Sequence, residues 1–198
     1  MQYPKSLERL FSIFHRLPGV GRRTAQRYAF DLLMHWDAKE IEELTAALQE
    51  LKNIGICETC GCLSETGHCL FCTDAERRSD VLCIVASPKE VFTLENTREF
   101  YGTYHVLSGL LSPLDGRGVE KLGLDRLFAR LEKGTIKEVI LALDSSLEGD
   151  TTSLFLKEQL HQFPVTVSRL AFGIPVGSAL EYVDGGSLAR ALAARGPV

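Results

Sequence analysis

The order of apolar and polar positions divides the chain into a helical part and an alternating strand-and-helix part. Leu7, Leu10, Phe11 and Phe14 recur at i, i+3, i+4 and i+7, and Ala25, Tyr28, Ala29 and Leu32 repeat that spacing, which predicts two amphipathic helices. A third is predicted from Asp37 as N-cap, with Glu40 three positions on and Ile41, Leu44, Leu48 and Leu51 along one face. From Val81 the pattern changes to short apolar runs separated by helical stretches, the signature of parallel βαβ units. Strands are expected at 81–86, 103–107, 138–143 and 165–170. One helix should start sharply at Ser87-Pro88-Lys89-Glu90, and another should span about 151–162. Leu180 to Asp184 reads as a short apolar strand ending in an aspartate, with a helix over 187–194 closing the chain.

Between the first two helices lies Leu17-Pro18-Gly19-Val20-Gly21. The proline ends a helix, and the glycines allow a tight turn whose backbone can approach a ligand closely. The next helix then presents free N–H groups and the positive end of its dipole, a site suited to a phosphate. Arg22, Arg23 and Arg27 surround that site and add charge that attracts a phosphodiester without reading a base. The alternative is a helical hairpin used only for packing or dimerisation. This turn, Pro-Gly-hydrophobic-Gly between helices, resembles the helix-hairpin-helix family.

Cys57-x2-Cys60 and Cys69-x2-Cys72 form two knuckles eight residues apart, a spacing that lets four thiolates surround one Zn2+. Such a site is structural and closed. Because 55–74 hold few large apolar groups, the metal would replace a local core. Cys62 and His68 are alternative ligands, or else Cys62 is a spare surface thiol; Cys83, inside an apolar run, should be buried.

Charge sharpens where nucleic acid can sit. The net charge of −4 over 198 residues excludes a protein that coats DNA by bulk electrostatics. Residues 1–31 nevertheless carry six Lys and Arg against Glu8 and Asp31, so a positive field is confined to the first helices. No apolar run approaches the roughly 20 residues of a membrane span, and the N-terminus lacks a signal-peptide h-region, so a cytoplasmic protein without membrane contact is expected. The absence of a Gly-x4-Gly-Lys-Ser/Thr loop removes the usual cradle for nucleotide hydrolysis. Leu180 to Asp184 resembles a Walker B segment, with an ordinary strand-to-turn boundary as the alternative.

Right-handed crossovers gather strand C-termini at one edge, and Glu90, Asp144, Glu148 and Asp150 map there. For Glu148 and Asp150 a solvated helix N-terminus is the alternative. An acidic edge on such a sheet resembles the toprim domain. That resemblance implies a catalytic glutamate after the first strand and an Asp-x-Asp pair after a later one, but here Ala86 and Asp144-Ser145-Ser146 stand in those places. A lone Asp144 with Glu148 makes a weak Mg2+ site, so no catalysis is expected; a Mg2+-dependent toprim nuclease or primase is the alternative.

The order of modules, with Tyr104-His105-Val106-Leu107, Glu148-Gly149 and Leu180-Glu181-Tyr182, resembles the RecR family over nearly the whole chain. The expected layout is α+β: a helix-hairpin-helix module at 1–54, a four-cysteine zinc finger at 55–78, a toprim-like α/β domain with a parallel sheet at 79–172 and a strand-helix tail at 173–198 for oligomerisation. The resemblance implies a homotetrameric ring that clamps double- or single-stranded DNA without sequence preference and works with RecO and RecF to load RecA at gaps. It places Arg23 and Arg27 facing DNA, and Glu90 and Glu148 in the region that engages RecO, where Ala86 stands in place of the family's usual glutamate and Asp144 is expected to compensate in part.

Overall fold

The computed structural model describes residues 3–112, 115–171 and 173–196, with the Lys121 side chain excepted. Pro113 and Leu114 of the Gly109–Gly118 loop lie outside the described residues. The chain forms two compact units, Met1–Ile54 and Gly55–Val198.

In the first unit α1 (Lys5–Phe14), α2 (Arg22–His35) and α3 (Ala38–Glu50) appear where the periodicity predicts them. Among the described residues of this unit only Leu7, Ala25 and Ala29 are buried. Small alanines let α1 and α2 approach, and ring contacts fill in beside them, with Tyr3 edge-on to Phe11 at 5.3 Å and Phe30 tilted against it at 5.8 Å. α3 is started by a reciprocal cap: Glu40 N–H donates to Asp37 Oδ1 at 2.9 Å and Asp37 N–H to Glu40 Oε2 at 2.8 Å. No residue of α3 is buried. Its apolar stripe, Ile41, Leu44 and Leu48, instead lines an open groove of about 850 Å3 with Leu10, Ile13 and Leu33.

In the second unit β3 (Arg78–Val85), β4 (Gly102–Val106), β5 (Glu138–Leu141) and β6 (Thr166–Arg169) form a parallel sheet in the order β4-β3-β5-β6. The period of two sorts side chains between faces. Leu82, Ile84, Val139 and Leu141 pack with Leu127 and Leu131 of α6 (Leu124–Leu131) and Leu156 and Leu160 of α7 (Leu147–Leu160). Cys83, Val85, Tyr104 and Val106 face the other way, onto Val91 of α5 (Pro88–Glu95) and onto Cys57, Cys60, Cys62 and Cys69. The cysteine segment therefore closes one face of the sheet.

Three expectations are corrected. α7 begins four residues earlier than the predicted 151, because Ser146 caps it by accepting the Gly149 N–H at 3.1 Å. Gly149 is required there: a Cβ would lie 2.0 Å from the Asp144 carbonyl oxygen. Leu180–Tyr182 is a 3-10 turn and not a strand; Tyr182 is exposed, and Asp184 caps α8 (Gly185–Ala193) by accepting the Ser187 N–H at 2.9 Å. Cys62 is fully buried and so is no surface thiol, whereas Cys83 is buried as expected. α6 was not anticipated, although Leu124, Leu127, Phe128 and Leu131 carry helical spacing.

His105 on β4 is completely buried, and neither ring nitrogen has a hydrogen-bond partner. Burial, then the positive fields of Arg130 and Arg126, lower its pKa from 6.5 to about 3. Above pH 6.5 both folded and unfolded chains hold it neutral, so it imposes no titration penalty there. As pH falls below 6.5 only the unfolded chain takes up the proton, and stability is lost by up to about 1.4 kcal/mol per pH unit. Chemical denaturation of His105→Leu between pH 7 and 5.5 is predicted to show a shallower loss than the parent, with no deficit at pH 7.

Candidate functional sites

Local backbone geometry builds the cysteine site. β1 (Gly55–Ile56) pairs antiparallel with β2 (Leu63–Ser64), and the loop between them carries Cys57 and Cys60. α4 (Leu70–Thr73) carries Cys72, with Cys69 at its N-cap. The two loops are joined where Glu58 N–H donates to the Gly67 carbonyl at 2.9 Å, Gly67 taking a left-handed φ of +84°. The four sulfurs lie within 4.8 Å of one another, the one grouping of its kind among the described residues. The Cys60–Cys69 and Cys57–Cys72 separations are 3.4 and 4.0 Å. They bracket the roughly 3.8 Å edge of a tetrahedron with 2.3 Å metal–sulfur bonds. The four thiols thus fit one metal ion. His68 is exposed and lies outside that group, as does Cys62, whose N–H donates to the Cys60 sulfur at 3.4 Å.

Without a cation these thiols compete for charge. Cys60 is pushed up by its hydrogen bond to Cys72 and by burial; Cys69 is pushed up to about 12 by burial and by its bond to Cys60. Burial opposes ionisation at Cys57 too, but the backbone groups of Cys69, Cys60 and Thr59 outweigh it and bring the thiol down to about 6. A metal resolves the competition by holding all four as thiolates.

The site is seated on the free edge of β4. Val106 N–H donates to the Cys60 carbonyl at 2.7 Å, and a Cβ at Gly61, whose φ is +79°, would come 2.8 Å from the Val106 carbonyl oxygen. Beside it Arg77 donates twice to Glu95, at 2.9 and 2.6 Å, and stacks 5.0 Å over the Phe71 ring. Tyr104 Oη donates to the same carboxylate at 2.5 Å. Burial resists ionisation of Glu95, yet the bonds from Arg77 and Tyr104 hold its pKa below the usual value. Arg77 and Glu95 lie far apart in sequence and gave no local signal.

At the helical turn, Gly19 has a φ of +76°, and Gly21 precedes α2 without any side-chain cap. A Cβ on either glycine would meet no atom within 4 Å, so the turn is open. Arg22, Arg23 and Arg27 are all exposed, and among the described residues no carboxylate pairs with them; Arg27 lies 5.6 Å over the Tyr28 ring. Open backbone donors and unpaired guanidiniums meet at one helix end.

The acidic edge is more divided than its sequence positions suggest. Glu90 turns inward: its carboxylate accepts from Ala86 N–H at 2.7 Å and from the Ser87 hydroxyl at 3.0 Å. Asp150 is held between Arg169 at 2.7 Å and Arg190 at 2.9 Å, which lowers its pKa, and the latter contact ties α8 to α7. Asp144 and Glu148 remain exposed. Glu148 lines a cleft of about 330 Å3 with Ala86, Ser87, Asp115 and Arg117.

This parallel sheet with acidic groups beyond its strand ends is a toprim-type domain, and the Toprim domain model matches 80–171. The models described as RecR, helix-hairpin-helix and RecR, C-terminal match 7–52 and 173–195. Proteins named Recombination protein RecR are similar throughout. That of Protochlamydia amoebophila is 49% identical over 98% of both chains, that of a Synechococcus species 48% over 98% of this chain and 89% of its own, and that of Moorella thermoacetica 45% over 98% of both. The chain belongs to the RecR family of recombination proteins. No helix among the described residues is long and apolar enough to cross a membrane.

Stripping the metal with a chelator under reducing conditions is predicted to speed amide exchange at Cys57, Glu58 and Val106 by about tenfold or more, the equivalent of about 1.4 kcal/mol of local stability. The amides of α1 and α2 should keep their protection.

Proposed function

We propose that the chain is a non-catalytic DNA-clamp subunit of recombinational repair that grips the phosphate backbone at the Gly19-to-Arg22 turn. The observation that carries this reading is the uncapped start of α2 behind an open glycine turn, with Arg22, Arg23 and Arg27 free of carboxylate partners among the described residues. Gly19 and Gly21 let phosphate oxygens reach the amides, and the arginines add positive charge beside them. Nothing in such a grip distinguishes bases or requires a particular strand state, so double- and single-stranded DNA are both substrates for binding.

Assembly into a homotetrameric ring concentrates this local field although each chain is acidic overall. The groove along α1, α2 and α3 supports assembly, as do Val176, Tyr182 and Leu192, all large and exposed near the C-terminus. One zinc ion per chain at Cys57, Cys60, Cys69 and Cys72 is the metal that best matches a buried four-sulfur site, and its role is structural. The protein acts in the cytoplasm.

Asp144 and Glu148, exposed beyond the strand ends, form the face for RecO, and Glu90 shapes that face by fixing the start of α5. RecF joins the same assembly, and its product is RecA loaded at single-stranded gaps. A Mg2+-dependent nuclease or primase would need a carboxylate where Ala86 stands, and Glu90 is committed to capping.

The Arg23→Ala, Arg27→Ala double variant is predicted to bind DNA about tenfold or more weakly at low salt and to lower the slope of log K against log salt by about two. Unchanged affinity in a correctly folded double variant overturns the reading. Incubation of the parent with plasmid and Mg2+ or Mn2+ is expected to leave the DNA intact; nicking abolished by Asp144→Asn would establish the enzyme instead.

A further inference from the structure

α6 carries Arg126 and Arg130 one helical turn apart and packs on the face of the sheet opposite the cysteine segment. Arg130 wraps around the free edge of β4, where its guanidinium donates to the Tyr104 carbonyl and, at 3.1 Å, to the Thr103 hydroxyl. Two residues along the same edge, Val106 N–H donates to the Cys60 carbonyl at 2.7 Å. The edge is therefore clamped at adjacent points by a guanidinium and by a metal-binding knuckle, and neither leaves it open to another strand. Arg126 approaches the knuckle directly, with Nη2 3.5 Å from the point a Cβ on Gly61 would occupy.

Among the described residues no carboxylate lies within 4.0 Å of either guanidinium. The Arg130 guanidinium is desolvated, and a desolvated cation needs a source of negative charge. Burial lowers the pKa of Arg130, and the thiols of Cys72, Cys60, Cys57 and Cys69 all act against that lowering, so all four lie within its electrostatic reach. Four thiolates around one divalent cation leave a net charge of two minus, itself costly to bury without compensation. Two guanidiniums balance it. His105 adds no third positive charge, because its surroundings keep it neutral.

We propose that Arg126 and Arg130 are the counter-charge of the cysteine metal centre, so that metal retention and the seating of α6 on the edge of β4 depend on each other. The inference rests on the zinc reading above and concerns positioning residues outside the metal's ligands. Hydrogen-bonded groups just beyond the ligands commonly change metal affinity by about 10–100-fold. Glutamine at position 130 keeps a donor for the Tyr104 carbonyl and loses the charge; lysine keeps the charge and loses the fork.

The test is zinc release from the full-length metal-loaded protein to a chromophoric chelator, with zinc content measured first and the thiolate-to-metal band of the Co2+ form recorded for each variant. Arg130→Gln is expected to release zinc about tenfold faster than the parent and to shift the Co2+ band, while Arg130→Lys stays within about threefold of the parent. Arg126→Gln removes charge without removing a hydrogen bond, and it is expected to speed release about threefold even if Arg130→Gln proves too unstable to load. Equal release from Arg130→Gln and Arg130→Lys would show that the contact is steric and overturn the counter-charge. So would parental release from Arg126→Gln and Arg130→Gln alike. A parent that purifies folded and without metal fails the zinc reading itself, and the inference falls with it.

Discussion

The hydrogen bond from Val106 to Cys60 joins the sheet to the cysteine site, and the core on that face of the sheet is built around the junction. β4 is an edge strand, and its backbone groups would be unpaired without cover. The first knuckle supplies the cover because Gly61 has no Cβ to strike the Val106 carbonyl. Once seated, the knuckle brings Cys57, Cys60 and Cys62 against Cys83, Val85 and Tyr104, so the cysteine segment and the sheet share one apolar core. Arg77, clamped by Glu95 and stacked on Phe71, seals the side of that core, and Arg130 seals the edge.

Features set by local spacing were legible in the sequence. The i, i+3, i+4 pattern located α1, α2 and α3, the reciprocal cap at Asp37 and Glu40 marked where α3 starts, and the two-residue cysteine spacing brought four thiols together. All four strands of the sheet lie within or close to the predicted runs. Features set by contacts across the fold were not legible. Leu180–Tyr182 has an apolar look, yet it pairs with no strand and the chain turns. Glu90 sits where an acidic docking group was expected, but its nearest donors are the backbone at Ala86 and the hydroxyl of Ser87. Arg77 and Arg130 meet partners 18 to 27 residues away, so no window of sequence reveals them. α6 had a usable signal in Leu124, Leu127, Phe128 and Leu131, obscured by Gly123 before it and Gly134 after it.

The two units suit different tasks. The second ties Arg77 to Glu95 and Asp150 to Arg169 and Arg190, covers the free edge of β4, and leaves Asp144 and Glu148 exposed. The first leaves Arg22, Arg23 and Arg27 without carboxylate partners among the described residues, beside an uncapped helix start, and leaves an apolar groove open, which costs stability in a lone chain and suits a surface completed by other molecules. The proposed division of labour, with a gripping first unit and a presenting second unit, rests on these surfaces.

Hydrogen-exchange mapping of the full-length, metal-loaded protein with and without a short DNA duplex at low salt locates the grip most directly. The account predicts new protection confined to the backbone from about Leu17 to Arg27, with the strand ends at Ala86 and Asp144 unchanged. Protection at Ala86 to Glu90 and Asp144 to Asp150, with none at the glycine turn, would contradict it.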